Sequence, residues 1–80
     1  MDIINTPIEI ERINRLKIVL AEKNRTGKWL AEQIGKNEAT ISRWCSNKVQ
    51  PSVSQLNEIA NILGVDIRDL LKSSKQEING

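Results

Sequence analysis

Residues 27–46, GKWLAEQIGKNEATISRWCS, decide the fold of this 80-residue chain. Apolar residues recur at three- and four-residue spacing on both sides of Gly35, a pattern that is typical of two amphipathic helices joined by a short turn. Such a helix pair needs a flexible residue in the turn and a small one where the helices approach closely. Gly35 and Ala31 meet these requirements, and the apolar residues that hold the pair together are Leu30, Ile34, Ile41 and Trp44. The window therefore predicts a helix-turn-helix motif.

The ends of these two helices carry recognisable caps. Thr26 and Asn37 are placed as N-caps of the second and third helices, because their side-chain oxygens can accept N–H groups of the first turn. Gly35 closes the second helix, and Asn47 can take the left-handed conformation after a third helix that runs to about Ser46. Both helices are therefore short and follow each other closely.

Three further helices are predicted outside the window. Pro7 lies just ahead of the first, which runs to about Lys23 and has an apolar face made of Ile13, Leu16, Val19 and Leu20. The fourth begins at Ser52 and closes at Gly64, and Asp66 caps a very short fifth helix. The sequence predicts one all-α domain of five helices, in which residues 1–12 form an N-terminal arm, 13–72 the helix-turn-helix domain and 73–80 a flexible tail.

Composition argues against several classes of protein. Apolar residues make up 39% of the chain, which is enough for a folded core, and this core must be aliphatic because Phe and Tyr are absent. No run approaches the roughly 18 apolar residues of a membrane span, and the start lacks the order of a secretory signal, so we expect a cytoplasmic protein. One cysteine and no histidine speak against a zinc site. We expect no metal, no cofactor, no small-molecule ligand and no membrane partner.

Catalysis is not predicted either. The chain has no histidine, no recognisable pair of catalytic carboxylates and no glycine-rich phosphate loop, so acid-base and nucleophilic chemistry lack their usual groups. The formal charge is only +2, but residues 26–50 carry four Lys/Arg against two Asp/Glu. The middle of the chain is thus where a phosphate backbone is expected to lie.

The third helix divides into two faces at 100° per residue. Thr40, Ile41, Trp44 and Cys45, together with Asn37, fall on one side, and the opposite side carries Glu38, Ala39, Ser42, Arg43 and Ser46. The second face is short and polar. Such a face can lie in the major groove of DNA and present donors and acceptors to base edges.

Four residues of this face are predicted to contact bases. Arg43 can form two parallel bonds to guanine O6 and N7, and Ser42 can bond to several base edges. Ala39 can touch a thymine methyl group. Glu38 can accept from a cytosine amino group, or it can instead interact with the N-terminus of its own helix, and the sequence leaves both alternatives open.

Residues around the helix pair are predicted to hold phosphates through N–H groups and cations, which fixes the register of the protein on DNA but not the base sequence. Lys48 among them can also be a simple solvated cation. The predicted phosphate ligands are Thr26, Gly27, Lys28, Lys36, Asn37, Asn47, Lys48 and Gln50.

Residues 14–71 resemble the Cro and lambda-type repressors, also called the XRE family of helix-turn-helix regulators. The likeness rests on LAE with Gly35 after it, on TISRW, on the Pro-Ser pair and on LGV followed by LL. It implies a lambda-repressor-like domain whose third helix enters the major groove of a palindromic operator, in a homodimeric transcriptional repressor. The chain departs from the family pattern at Gly27, Cys45 and Asn47, and it has apolar residues at Ile18 and Leu20, where charges are common.

A protein-interaction module, such as the antitoxin of a toxin pair, is the alternative function. Its contact stripe would consist of Ile3, Ile4, Ile8, Ile10, Ile18 and Leu20. Trp29 and Trp44 can also be interpreted as stacking platforms for single strands, but Trp44 falls on the packing face and is expected in the core. Cys45 is expected to be a small, at least half-buried filler rather than a redox sensor.

Overall fold

In the part of the chain that the structure describes, four α-helices are followed by a single turn of 3-10 helix. The structure, a computed structural model, describes residues 12–73. The elements are α1, Leu16–Glu22; α2, Gly27–Ile34; α3, Glu38–Cys45; α4, Val53–Leu63; and the 3-10 helix Ile67–Leu70. The prediction of an all-helical domain is confirmed for these residues. The predicted count of five α-helices is not confirmed, because the fifth segment is the 3-10 turn.

The caps of this last segment explain its geometry. Asp66 accepts the backbone N–H of Arg68 at 2.8 Å, and the Asp69 carboxylate accepts the backbone N–H of Asp66 at 3.1 Å. The bond from Arg68 holds the pKa of the Asp66 carboxyl below its ordinary value. The chain is already extended at Leu71. A segment of four residues is too short for a ladder of α-helical bonds, and the tighter 3-10 turn forms instead.

The first helix begins later than its apolar pattern predicts. The prediction placed Ile13 on its buried face, but α1 starts at Leu16 and Ile13 is 46% exposed. Asn14 accounts for the difference, because its side-chain Oδ1 accepts the N–H of Leu16 at 2.9 Å. The Ile13 carbonyl accepts the N–H of Lys72 at 2.7 Å, and Asn14 forms an isolated antiparallel bridge with Leu71. The backbone ahead of α1 is thus bonded to the far end of the domain.

The core is aliphatic except for one indole. Trp44 is only 3% exposed, which confirms that it packs inside, and Trp29 is half-buried against the core. Each element contributes at least one side chain that is fully buried, and burial of such a side chain stabilises the fold by about 1.5–3 kcal/mol. The largest fully buried side chains are Leu16, Val19, Leu30, Ile41, Ile59 and Leu70.

A network of amide side chains joins the start of the domain to the loop after α3. Asn47 accepts the backbone N–H groups of Ile13 and Asn14 through Oδ1, at 2.9 and 2.8 Å, and donates to the Asn14 carbonyl at 3.1 Å. Asn14 donates from Nδ2 to the Trp44 carbonyl at 2.9 Å and to Gln50 Oε1 at 2.7 Å. Gln50 Nε2 donates to Asn47 Oδ1 at 3.0 Å. We call Asn14, Asn47 and Gln50 the amide clamp.

The backbone of Asn47 completes this arrangement. Its φ of 64° confirms the predicted left-handed conformation after α3, which Asn adopts more readily than most residues other than glycine. The predicted arm, 1–12, and tail, 73–80, lie outside the described residues except for Arg12 and Ser73. None of the helices in residues 12–73 combines the length and the apolar character needed to cross a bilayer.

We expect Asn47→Gly to lower the free energy of unfolding by about 1–3 kcal/mol, the usual cost of leaving a buried hydrogen-bonding group without its partner. Glycine keeps the positive φ but leaves the N–H groups of Ile13 and Asn14 without their acceptor. Urea denaturation measures the change. Asn24→Gly is the matched control, because Asn24 also has a positive φ, 55°, but is exposed and lies outside the amide clamp. Equal losses in the two variants would contradict a stabilising role of the clamp.

Candidate nucleic-acid interface

Helix α3 buries one side and exposes the other. Ile41 and Trp44 are 0% and 3% exposed. The four predicted base contacts all lie on the opposite, exposed side: Glu38, Ala39, Ser42 and Arg43. Ser46, predicted on the same face, is half-buried, and its hydroxyl donates to the Arg43 carbonyl at 3.1 Å. The predicted division of α3 into two faces is therefore confirmed up to its last turn.

The exposed side of α3 has the dimensions and the chemistry of a groove-binding surface. An α-helix with its side chains is about 10–12 Å wide, close to the width of the major groove of B-DNA, about 12 Å. Short side chains at Ala39 and Ser42 allow the helix axis to approach base edges. The Arg43 guanidinium forms no hydrogen bond or ion pair with any other described residue, so its five N–H donors are available.

Two N-caps and a glycine position α3 against α2. Thr26 Oγ1 accepts the N–H of Trp29 at 3.0 Å, and Asn37 Oδ1 accepts the N–H of Thr40 at 2.8 Å. Gly35 adopts a φ of 74°, in the left-handed region that glycine enters without strain, and ends α2. The caps predicted at Thr26, Gly35 and Asn37 are confirmed. The chain turns from one helix to the next within three residues.

Glu38 occupies the first turn of α3 and is exposed. Its carboxylate accepts no hydrogen bond from described residues. The side chain that caps the N-terminus of α3 is Asn37, which accepts the N–H of Thr40. A negative charge in the first turn still interacts favourably with the helix dipole. The two alternatives from the sequence, a base contact and an interaction with the helix terminus, are compatible in this geometry.

The predicted phosphate ligands fall into two groups, and the larger one surrounds α3. Its members are exposed at the start of α2, in the turn after it and in the loop after α3; they are Thr26, Lys28, Lys36, Asn37 and Lys48. Gly27 is half-buried, and a Cβ there would lie 3.4 Å from Ile41 Cγ2. The backbone at the start of α2 thus passes close to α3.

The second group, Asn47 and Gln50, was predicted to hold phosphates and is found in the amide clamp. Asn47 is 6% exposed, and both ends of its amide bond to the segment ahead of α1. Gln50 is half-buried, accepts from Asn14 and donates to Asn47. These side chains are occupied within the domain, which removes them from the set of phosphate ligands.

A sequence profile of the Cro/C1-type HTH DNA-binding domain matches residues 15–76. The chain belongs to this family. Among solved structures, it is similar to a crystal structure of a Bacteroides fragilis protein whose proposed role is DNA binding, with 62% sequence identity and a TM-score of 0.74. The match covers 75% of this chain and 97% of that one. No curated protein matches the chain. The resemblance to Cro and lambda-type repressors is confirmed as family membership.

This Cro/C1-type domain also has an open groove between α1 and α3, with a volume of about 470 Å³. Leu20, Ala21, Ile41 and Cys45 form its apolar lining. Burial raises the pKa of the Cys45 thiol, while the nearby Lys17 ammonium acts on it in the opposite direction. Burial therefore favours the protonated form of the thiol, and the expected half-buried position of Cys45 is confirmed. Leu20 and Cys45, two departures from the family pattern, line the same groove.

Three cations at this groove were not among the predicted site residues: Arg12, Lys17 and Arg25. The Arg25 guanidinium lies 4.3 Å from the centre of the Trp29 ring, a cation–π contact. The sequence does indicate a basic segment here, because residues 12–25 contain five Lys/Arg and one Asp/Glu. Which of these five cations face α3 depends on how α1 packs, and periodicity alone does not fix that.

We expect Ser42→Ala and Arg43→Ala to change the free energy of unfolding by less than about 0.5 kcal/mol, because both side chains are exposed. Ile41→Ala should cost about 2–5 kcal/mol, because it empties a fully buried site. Urea denaturation of the three variants measures this contrast. A large loss in Arg43→Ala, comparable to that of Ile41→Ala, would show that the guanidinium supports the fold and is not free for DNA.

Proposed function

We propose that this Cro/C1-type domain binds a specific sequence of double-stranded DNA, with α3 in the major groove, and acts as a transcriptional repressor without any catalytic step. The supporting observation is the exposed side of α3, where Glu38, Ala39, Ser42 and Arg43 lie together while Ile41 holds the other side in the core. A helix that offers only short or hydrogen-bonding side chains suits base edges better than it suits a protein partner.

Each exposed residue of α3 has a role in this proposal. Arg43 bonds to guanine O6 and N7, and Glu38 accepts from a cytosine amino group. Ala39 contacts a thymine methyl group, and Ser42 bonds to a neighbouring base edge. The freedom of the Arg43 guanidinium and the small size of Ala39 support these roles.

The proposed phosphate ligands are those predicted residues that the structure leaves at the surface or at the start of a helix. Backbone N–H groups at the start of α2 and cations beside α3 can hold the two DNA strands that border the major groove. The set consists of Thr26, Gly27, Lys28, Lys36, Asn37 and Lys48. The DNA-binding role proposed for the Bacteroides fragilis protein, at 62% identity, supports the same function here.

The alternative, a protein-interaction module, has one observation in its favour. Ile18 is 50% exposed on α1, and Ile13 is 46% exposed just ahead of it. Leu20, another residue of the predicted contact stripe, is only 4% exposed and belongs to the core. The remaining members of that stripe, Ile3, Ile4, Ile8 and Ile10, lie outside the described residues. These two exposed isoleucines are compatible with DNA binding, because Ile18 lies on α1 and Ile13 just ahead of it, away from the exposed side of α3.

Titration of the protein with random duplex DNA at several salt concentrations tests the proposed function. Contacts to phosphates release counterions, so the logarithm of the affinity should fall linearly with the logarithm of salt concentration, with a slope of about −0.9 per contact. An absence of binding at low salt, or binding that does not change with salt, would contradict the proposal and favour the interaction module.

We expect Arg43→Ala to relax the base preference at one position by about 1–3 kcal/mol, the value of a bidentate contact with guanine. Lys48→Ala should weaken binding to all sequences alike, because a phosphate contact carries no base information. Selection of bound sequences from a random library, followed by affinity measurements, separates the two effects. If both variants lose specific and nonspecific affinity equally, Arg43 does not contact a base.

We also propose a homodimer on a palindromic operator, with half-sites one helical turn apart, about 34–36 Å. Sedimentation with the selected duplex should show two protomers per duplex, and a duplex with one half-site destroyed should bind much more weakly. A single protomer that saturates the intact duplex would contradict the homodimer while leaving DNA binding in place.

A further inference from the structure

The groove between α1 and α3 places cations directly beside the exposed side of α3. Lys17 lines it from α1 and Arg25 from the connection to α2, and Arg12 lies just ahead of the bridge that precedes α1. The lining of the same groove includes Ser42, one of the proposed base contacts. The cations and the recognition surface are therefore neighbours across an open channel. We call Arg12, Lys17 and Arg25 the α1 rim.

Within the described residues, 12–73, no carboxylate pairs with the cations of the α1 rim. Arg15, by contrast, donates to the Asp69 carbonyl at 2.9 Å and approaches the Glu22 carboxylate at 4.0 Å. The acidic residue in the lining of the groove is Glu38, which faces three cations. The groove as a whole therefore carries an excess of positive charge.

One electrostatic interaction and one ring contact indicate where two of the rim side chains lie. The Lys17 ammonium is close enough to Cys45, at the end of α3, to act on the thiol electrostatically. The Arg25 guanidinium stacks on Trp29 at 4.3 Å, which orders a side chain that otherwise loses considerable rotamer entropy on binding. A second recess of about 280 Å³ is also lined by Arg12, Lys17 and Cys45, so two of the rim cations also border the surface between α1 and the end of α3.

We propose that the α1 rim is a further phosphate-binding site for one DNA strand, which adds α1 and its flanking segments to the phosphate ligands at the start of α2 and in the loop after α3. This inference rests on the proposed function. A helix that fills the major groove is bordered by a phosphate backbone on each side, and elements that flank the helix face those phosphates. Lys48 lies after the end of α3, whereas the rim lies along its α1 side. The groove is open to solvent, so a DNA backbone can reach the cations at its edge.

The experiment compares Lys17→Gln and the triple variant Arg12→Gln/Lys17→Gln/Arg25→Gln with the wild-type protein. Affinity for a selected duplex and for a random duplex is measured at several salt concentrations. We expect the slope of log affinity against log salt to shrink by about 0.9 for the single variant and by up to about 2.7 for the triple variant, equally on both duplexes. Lys23→Gln is the matched control, because Lys23 is an exposed cation at the end of the same helix that does not line the groove.

The outcomes separate this inference from the proposed function. Wild-type protein that does not bind DNA would overturn the proposed function itself. Unchanged slopes in both rim variants, or an equal change in Lys23→Gln, would overturn the α1 rim while leaving DNA binding intact. Circular dichroism and urea denaturation check that the variants are folded, and since the Lys17 side chain is exposed, the single variant keeps the test valid if the triple variant is unstable.

A scan of the selected duplex with neutral methylphosphonate linkages gives a second measurement. Neutral linkages at phosphates that touch the rim should weaken the wild-type protein and have no effect on the triple variant. If both proteins lose affinity at the same linkages, the rim does not contact these phosphates and the inference is wrong.

Discussion

The hydrogen bonds of Asn47 are the constraint on which the arrangement of this domain depends. One buried amide oxygen accepts two successive backbone N–H groups from a segment more than thirty residues away in sequence, and the amide nitrogen returns a bond to the same segment. A buried polar network is costly unless its members are paired, so it tolerates few alternative arrangements. Aliphatic packing would hold α1 near α3, but these bonds also set the register of the chain against the end of α3.

As a consequence, the two sides of α3 have different roles: one packs in the core and the other is exposed to solvent. Its buried side chains, Ile41 and Trp44, are shared with the core, and the carbonyl of Trp44 is bonded to Asn14. The exposed side takes little part in holding the fold together. A substitution on that side is therefore expected to change what the helix contacts while leaving the scaffold intact. A domain of this size has little stability to spare. Because the exposed side chains of α3 are not part of the core, they can serve binding without lowering the stability of the fold.

Much of the fold follows from local sequence signals. The site residues that the sequence predicted wrongly or did not predict depend instead on contacts between segments that are far apart in the chain. The caps at Thr26 and Asn37 and the turn at Gly35 act within three or four residues, so sequence spacing is enough to predict them. The exposed face of α3 follows from helical periodicity for the same reason. Asn47 and Gln50 were predicted as phosphate ligands because they follow the third helix in sequence, and only long-range pairing reveals their partners within the domain. The cations beside the groove likewise depend on the packing of α1 against α3.

The stacking of Arg25 on Trp29 has a practical consequence for spectroscopy. The chain has two indoles and no other aromatic side chain, so its near-ultraviolet emission comes from these two positions alone. Trp44 is enclosed and serves as an internal reference, whereas Trp29 is half-buried beneath a guanidinium. Any event that draws the guanidinium away from the ring alters the surroundings of that chromophore. The protein thus contains a natural, label-free optical sensor beside the channel between α1 and α3.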